Sequence, residues 1–248
     1  MAMRSRLPRA GILLALAVSG RAFLSASPSG VGWRGSRRCA LRALRSGDVG
    51  EKGAEAYFPE TEFQETASQN SVACEPAMRI GHGYDIHKML PRDDPEGWGK
   101  CTPQPAVIGG VTFEDFPLGV VAHSDGDVVY HSTTDAILGA LGLPDIGQLF
   151  PDNDPRWRGA DSEQFFDEAV RLMALRGYRI GNIDVTIIAQ KPRLSGRKVE
   201  MKDNLVRICD TIPARVNLKA RTHENLDSVG ECRALECHVC VLLERSER

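Results

Sequence analysis

Between Met1 and Gly47 there is no Asp and no Glu, while Arg4, Arg6, Arg9, Arg21, Arg34, Arg37, Arg38, Arg42 and Arg45 are scattered through Ser, Ala and Gly. This is the composition of a targeting segment, and it takes these residues out of the fold. Within it, Gly11 to Val18 is an apolar core behind basic residues. It is too short to span a bilayer, which needs about 20 helical residues, so it reads as a signal peptide. A second acid-free, Arg- and Ser-rich stretch follows Arg21-Ala22-Phe23-Leu24. Two addresses in tandem suggest two membranes to cross, with simple secretion as the alternative.

Residues 48–77 are polar, acidic and without periodicity, and are expected to form a linker that stays disordered. The folded domain is then 78–248. Its composition excludes several classes: it carries no basic patch for nucleic acid and no apolar run long enough to cross a membrane. Seven cysteines, an odd number, argue against a disulfide framework. Cys237 and Cys240 form a CxxC, but in a strand positions i and i+3 face opposite ways, so these thiols are not expected to share an ion.

Periodicity organises the rest. Strands are expected over Arg79–Ile86, on both sides of the Gly109-Gly110 turn, and over Ile183–Ala189, Val216–Ala220 and Ala234–Leu243. Helices are expected over about Asp127–Leu141, with Ser124 and Asp125 as candidate caps, and over Glu163–Ala174 and Lys198–Asp210. Leu143 to Pro155 reads as a polar, proline-broken loop. The alternation predicts a single-domain α/β two-layer sandwich, a mixed sheet with helices on one face.

Gly81-His82-Gly83-Tyr84-Asp85-Ile86-His87 sets a carboxylate and an imidazole two residues apart where a strand ends, so Asp85 and His87 can converge on one point. His131 can complete a three-ligand metal site with one position open. Asp127, His131 and Asp135 are spaced i, i+4, i+8 on one helix face. Asp135 or Asp127 is therefore expected to orient His131 from behind. A lone histidine among helix carboxylates would read as a solvated surface pair; the Asp85 and His87 pair decides for ligation. Packing or hydrogen bonding is expected of His82, and a core or interface place of His238. Asp145, Asp152 and Asp154 lie in irregular backbone suited to binding hydroxyls, or simply to facing solvent. Ala189 to Ser195 and Arg221 to Glu224 each leave a strand with polar groups that could together hold a nucleotide and a magnesium ion.

Five segments in order resemble the 2-C-methyl-D-erythritol 2,4-cyclodiphosphate synthase family. They are Gly81–His87; Ala122-His123-Ser124-Asp125-Gly126-Asp127 with His131 and Asp135; Leu143–Asp152; Gly181–Pro192; and Val216–Glu224. The resemblance implies a lyase of the non-mevalonate isoprenoid route, working as a homotrimer with sites between subunits and a nucleotide-linked sugar alcohol as substrate. It implies Zn2+ on Asp85, His87 and His131, and Mg2+ or Mn2+ on the substrate diphosphate through Glu224. His123 and Thr222 correspond to transition-state stabilisers. Ser124, Asp145, Ile146, Gly147, Phe150 and Asp152 correspond to substrate-binding positions, and Ala189, Lys191, Pro192, Arg193, Leu194 and Thr222 to the cytidine pocket.

Asn225 to Glu231 departs from the bacterial pattern, where a Phe and an Arg follow, and is close to the plant type. Ser195-Gly196-Arg197-Lys198 replaces a more usual Ser-Pro-His-Lys. The leader is similar to those of proteins sent to plastids of secondary origin, such as an apicoplast or complex plastid. A zinc-dependent phosphohydrolase and a non-catalytic nucleotide- or metal-binding protein are the alternatives: the first would use the same ion to activate water, the second would be expected to lack one of these residues.

Overall fold

The structure, a computed structural model, describes residues 75–246 apart from 96, 98 and 100. The expected signal peptide and transit peptide, and the linker as far as residue 74, lie outside the described residues.

The chain order is β1 (Met78–Pro91), β2 (Gln104–Pro105), β3 (Val107–Ile108), β4 (Val111–Thr112), β5 (Leu118–Val121), α1 (Val128–Leu141), α2 (Ile146–Leu149), α3 (Glu163–Leu175), β6 (Tyr178–Ile188), α4 (Lys198–Ile208), β7 (Val216–Arg221), α5 (Asp227–Gly230) and β8 (Ala234–Arg245). Six strands form one sheet in the order β2-β5-β1-β8-β6-β7, and β3 pairs with β4 apart from it. Only the β6–β7 pair in the large sheet is parallel, joined by the crossover through α4. The sheet is mixed, as expected.

Alternation along β8 explains its central place. Leu235, Cys237, Val239, Val241 and Leu243 are at most 1% exposed and face the helix layer, where α1 packs across β1 and β8. Ile183, Val185 and Ile187 of β6 are 0% exposed on the same side, each contributing about 1.5–3 kcal/mol by leaving water. Tyr130, Ile137, Leu138 and Phe166 meet them from the helices. On the opposite side Ile80, Tyr84 and Ile86 of β1 are 78%, 44% and 42% exposed. Cys237 is buried and Cys240 exposed, so the CxxC thiols do face opposite ways.

β1 is longer than its pattern predicts. It runs to Pro91 because Lys88–Pro91 pairs with β5, so Asp85 and His87 lie inside a strand and not at its end. The cap of α1 is Asp127, whose carboxylate accepts the N–H groups of Val129 and Tyr130; Ser124 and Asp125 are spent elsewhere. Gly142, at φ 67°, ends that helix in the left-handed conformation. Ile146–Leu149 forms one helical turn capped by Asp145 within a stretch expected to be loop.

Candidate active site

Two glycines make the site possible. A Cβ at Gly81 would stand 1.8 Å from the Ala136 carbonyl oxygen, and one at Gly83 1.9 Å from that of Ser132. Without side chains there, α1 lies directly on β1. The next two residues on that face, Asp85 and His87, then meet His131, which projects from the first turn of α1. His131 Nδ1 is 3.0 Å from Asp85 Oδ2, His87 Nε2 is 3.1 Å from the same oxygen, and the two nitrogens are 3.2 Å apart. These donors form one group able to hold a metal ion.

The donor set fits such an ion. A tetrahedral zinc about 2.0–2.1 Å from nitrogen and oxygen donors needs donor separations of about 3.3 Å, a small expansion of the observed triangle. Charge favours it too. Burial acts to raise the Asp85 carboxyl, but hydrogen bonds from His131 and His87 outweigh it and hold the group well below the usual carboxylate range. Burial acts to lower His131, and the bond to Asp85 outweighs it, so the imidazole is raised.

The expected second shell is different. Asp127 gives its oxygens to the N–H groups of Gly109, Gly110, Val129 and Tyr130, and burial pushes it up to about 6. Asp135 accepts the Ile146 N–H at 2.7 Å. Neither carboxylate hydrogen-bonds the His131 ring. Its far nitrogen, Nε2, instead meets Ser162 Oγ at 2.8 Å and Ser124 Oγ at 3.1 Å. Ser162 carries no motif signal; its place before Glu163 marks it only as a helix cap.

A cleft of about 860 Å³ opens beside the triad, lined by His87, His131, His123, Ser124, Ile146, Gly147, Phe150 and Asp152. Sequence reasoning missed Trp157, Arg158 and Phe165, which also line it. Phe150 packs against both rings, centroids 5.3 Å and 4.7 Å away, forming an apolar wall. His123 Nε2 is buried and has no hydrogen-bond partner among the described residues, a group poised for something the chain does not supply. Asp145 is not among the residues lining the cleft; it caps α2, one position before Ile146, which is.

The other expected residues are elsewhere. Thr222 donates to Glu224 Oε1 at 2.8 Å in an exposed turn after β7. Ala189 and Leu194 are buried, while Lys191 and Arg193 are exposed around a cis Lys191–Pro192 bond. Asp85 pairs with Cys237, Cys237 with Ile187, and Ile187 with Ala220, so three strand spacings separate the β1 ligands from β7. That is about 14 Å. His82 Nε2 lies 3.3 Å from His238 Nδ1 on the uncovered face, a hydrogen-bonded pair.

The YgbB family model matches residues 78–244. A chloroplastic 2-C-methyl-D-erythritol 2,4-cyclodiphosphate synthase of Oryza sativa is 51% identical over 170 residues, 68% of this chain and 70% of that one. The chloroplastic enzyme of that name from Arabidopsis thaliana is 43% identical over 89% of this chain and 88% of its own. A structure of IspF from Plasmodium falciparum in complex with CDP superposes with TM-score 0.58 at 37% identity, covering 69% of this chain and 98% of that one. With its triad and cleft inside the matched region, the chain belongs to the YgbB family of 2-C-methyl-D-erythritol 2,4-cyclodiphosphate synthases.

Proposed function

We propose that this chain, as a synthase of that family, converts 4-diphosphocytidyl-2-C-methyl-D-erythritol 2-phosphate to the 2,4-cyclodiphosphate and CMP, at sites built between copies of itself. The observation that carries the reading is the Asp85–His87–His131 triad at the mouth of a cleft lined by His123, Ser124 and Phe150.

The reaction joins two anions, the substrate's own 2-phosphate and the β-phosphorus of its CDP group. No protein nucleophile is required; the chain must neutralise charge and hold the substrate folded on itself. Two imidazoles and a carboxylate suit zinc, which when bound would polarise a phosphate oxygen. His123 Nε2, buried and without a hydrogen-bond partner among the described residues, would meet a phosphate oxygen, with Ser124 lining the same cleft. Asp152 and Asp145 accept hydrogen bonds from the polyol hydroxyls. Phe150, Trp157 and Phe165 keep water from the reacting end. Thr222 would stabilise charge on the reacting phosphorus, Glu224 would hold magnesium or manganese on the diphosphate, and Ala189 to Leu194 would receive the cytidine.

One diphosphate cannot bridge the halves of a single chain, because two ions that clamp a phosphate lie about 3.5–4 Å apart and not 14 Å. A neighbouring copy's β7 end beside this chain's triad removes the conflict. The exposed Ile80, Tyr84 and Ile86 offer the face for such packing, and a homotrimer closes it. The acid-free leader and the chloroplastic names of the plant relatives support delivery to a plastid, and the tandem signals one of secondary origin.

Phosphorus NMR of the purified protein with this substrate and magnesium, before and after zinc chelation, tests the reading. Cyclic diphosphate plus CMP, lost on chelation, is the expected result. Open-chain phosphates would mean a phosphohydrolase, and unchanged substrate would overturn catalysis by the chain alone.

A further inference from the structure

We propose that Ser162 and Asp125 are positioning residues that fix the ring orientation and the tautomer of His131, leaving Nδ1 free to bind the metal. The inference rests on the reading of His131 as a ligand.

Ser162 is 0% exposed and occupies the cap position of α3, where a serine ordinarily turns its hydroxyl to the second or third backbone N–H, worth about 1 kcal/mol. It makes no such bond. Its Oγ lies 2.8 Å from His131 Nε2 and in close contact with Asp125 Oδ1. The carboxylate is itself fixed: Oδ2 accepts the Ser162 N–H at 3.1 Å, and Oδ1 accepts the Asp127 N–H at 3.1 Å.

Direction follows from donor counting. A carboxylate only accepts, so the single Ser162 hydroxyl proton points to Asp125. The serine oxygen then presents a lone pair to His131, and Nε2 must carry the ring proton. Ser124 Oγ, 3.1 Å from the same nitrogen, accepts the Gly126 N–H as well and reinforces that polarity. With Nε2 holding its proton, Nδ1 is the nitrogen that faces Asp85 and His87, and a cation bound there would replace the proton that Nδ1 otherwise donates to Asp85. Metal-bound histidines are commonly oriented by a carboxylate on the far nitrogen. Here a buried serine carries that influence from a carboxylate one bond further away.

Two measurements test this on the full-length protein. Solid-state NMR of labelled histidine in the zinc-loaded wild type, with the His131 signal assigned by its absence from His131→Ala, should show Nε2 protonated and Nδ1 without a proton. An unprotonated Nε2 or a protonated Nδ1 would overturn the proposal even if no variant folds. Zinc affinity by chelator competition should fall about 10- to 100-fold in Ser162→Ala and Asp125→Asn, with Ser162→Thr recovering part of it. Unchanged affinity and tautomer in folded Ser162→Ala would overturn it. Absence of zinc binding by the wild type would instead remove the metal reading on which it rests.

Discussion

Substituting Gly83 by Ala separates the cause of the site from its chemistry, since it touches no ligand. The new Cβ would stand 1.9 Å from the Ser132 carbonyl oxygen, where real Cβ atoms essentially never come closer than 3.0 Å. The obstacle is helix backbone, which cannot rotate aside, so α1 must move off β1 by roughly 1 Å. Ser132 follows His131, and the ligand therefore moves with it. Ala for Gly stabilises by about 0.4–1 kcal/mol through the unfolded chain, but overpacking of this kind costs about 1–3 kcal/mol, and the clash prevails. A net loss near 1.3 kcal/mol, about 2 less about 0.7, should lower the melting temperature by about 3–5 °C. Displacement beyond the roughly 0.5 Å that a preorganised site tolerates should weaken zinc binding at least tenfold. Calorimetry and chelator competition on Gly83→Ala read both quantities. A variant that melts and binds zinc like the wild type would refute the claim that close approach of α1 builds the triad.

His131→Ala should remove zinc retention and cyclisation together, affinity falling by more than about a hundredfold, the upper range for losing an outer partner only; full activity in zinc-free protein would remove the metal argument. Thr222→Ala should retain zinc and lower turnover by about 10²–10³, as for loss of one oxyanion donor, and an unchanged rate would remove its role. For the metal-free protein, the lowered Asp85 contributes stability above the unfolded carboxylate range that is lost as pH falls through its folded value. The raised His131 contributes stability below about 6.5 that is lost as pH rises through its folded value. The contribution of this pair should therefore be largest between about pH 4 and 6.5 without metal, read as the difference in melting temperature between the wild type and Asp85→Asn across a pH series. Ile80→Glu, which places a charge on the uncovered face, should yield smaller species in sedimentation velocity with zinc affinity retained; a wild-type profile would move the oligomer interface elsewhere.

Elements with a strong period were legible. The largely apolar run of Val128–Leu141, buried on nearly every side, and the alternation of Ala234–Arg245, buried on one face, both record burial, and burial is what such patterns encode. Leu118–Val121 has only four residues and owes its strand state to pairing with Lys88–Pro91, a partner that no local signal announces. The triad was legible because two ligands sit at i and i+2. Its outer support was not: Asp127 and Asp135 have the right helical spacing, yet stronger local donors claim both, the backbone N–H groups at the start of α1 and at Ile146. Ser162 reaches His131 across 31 positions of chain through a turn in which Gly159 and Ala160 hydrogen-bond back to His123 and Asp125, and spacing carries no trace of that.

The register of β1 on β8 joins packing to chemistry. From Met78↔Glu244 to Lys88↔Ala234 the pairing is continuous, and it puts Gly81, Gly83, Asp85 and His87 on the helix side with Val241, Val239, Cys237 and Leu235. A slip of one residue would drive Tyr84 and Ile86 into the α1 backbone and turn both ligands to the open face. It would also turn Met89, 2% exposed on the helix side of β1, out to the open face, so the hydrophobic core itself opposes the wrong register. The triad is thus held by the same free energy that holds the fold, on a central strand and a helix. Thr222 and Glu224 have no such support: they follow β7 at the sheet edge, with Glu224 and Asn225 at φ 51° and 62°. In the proposed assembly the rigid triad of one chain would meet edge-borne groups of its neighbour, and the half that must fit a second copy is the half the core does not dictate.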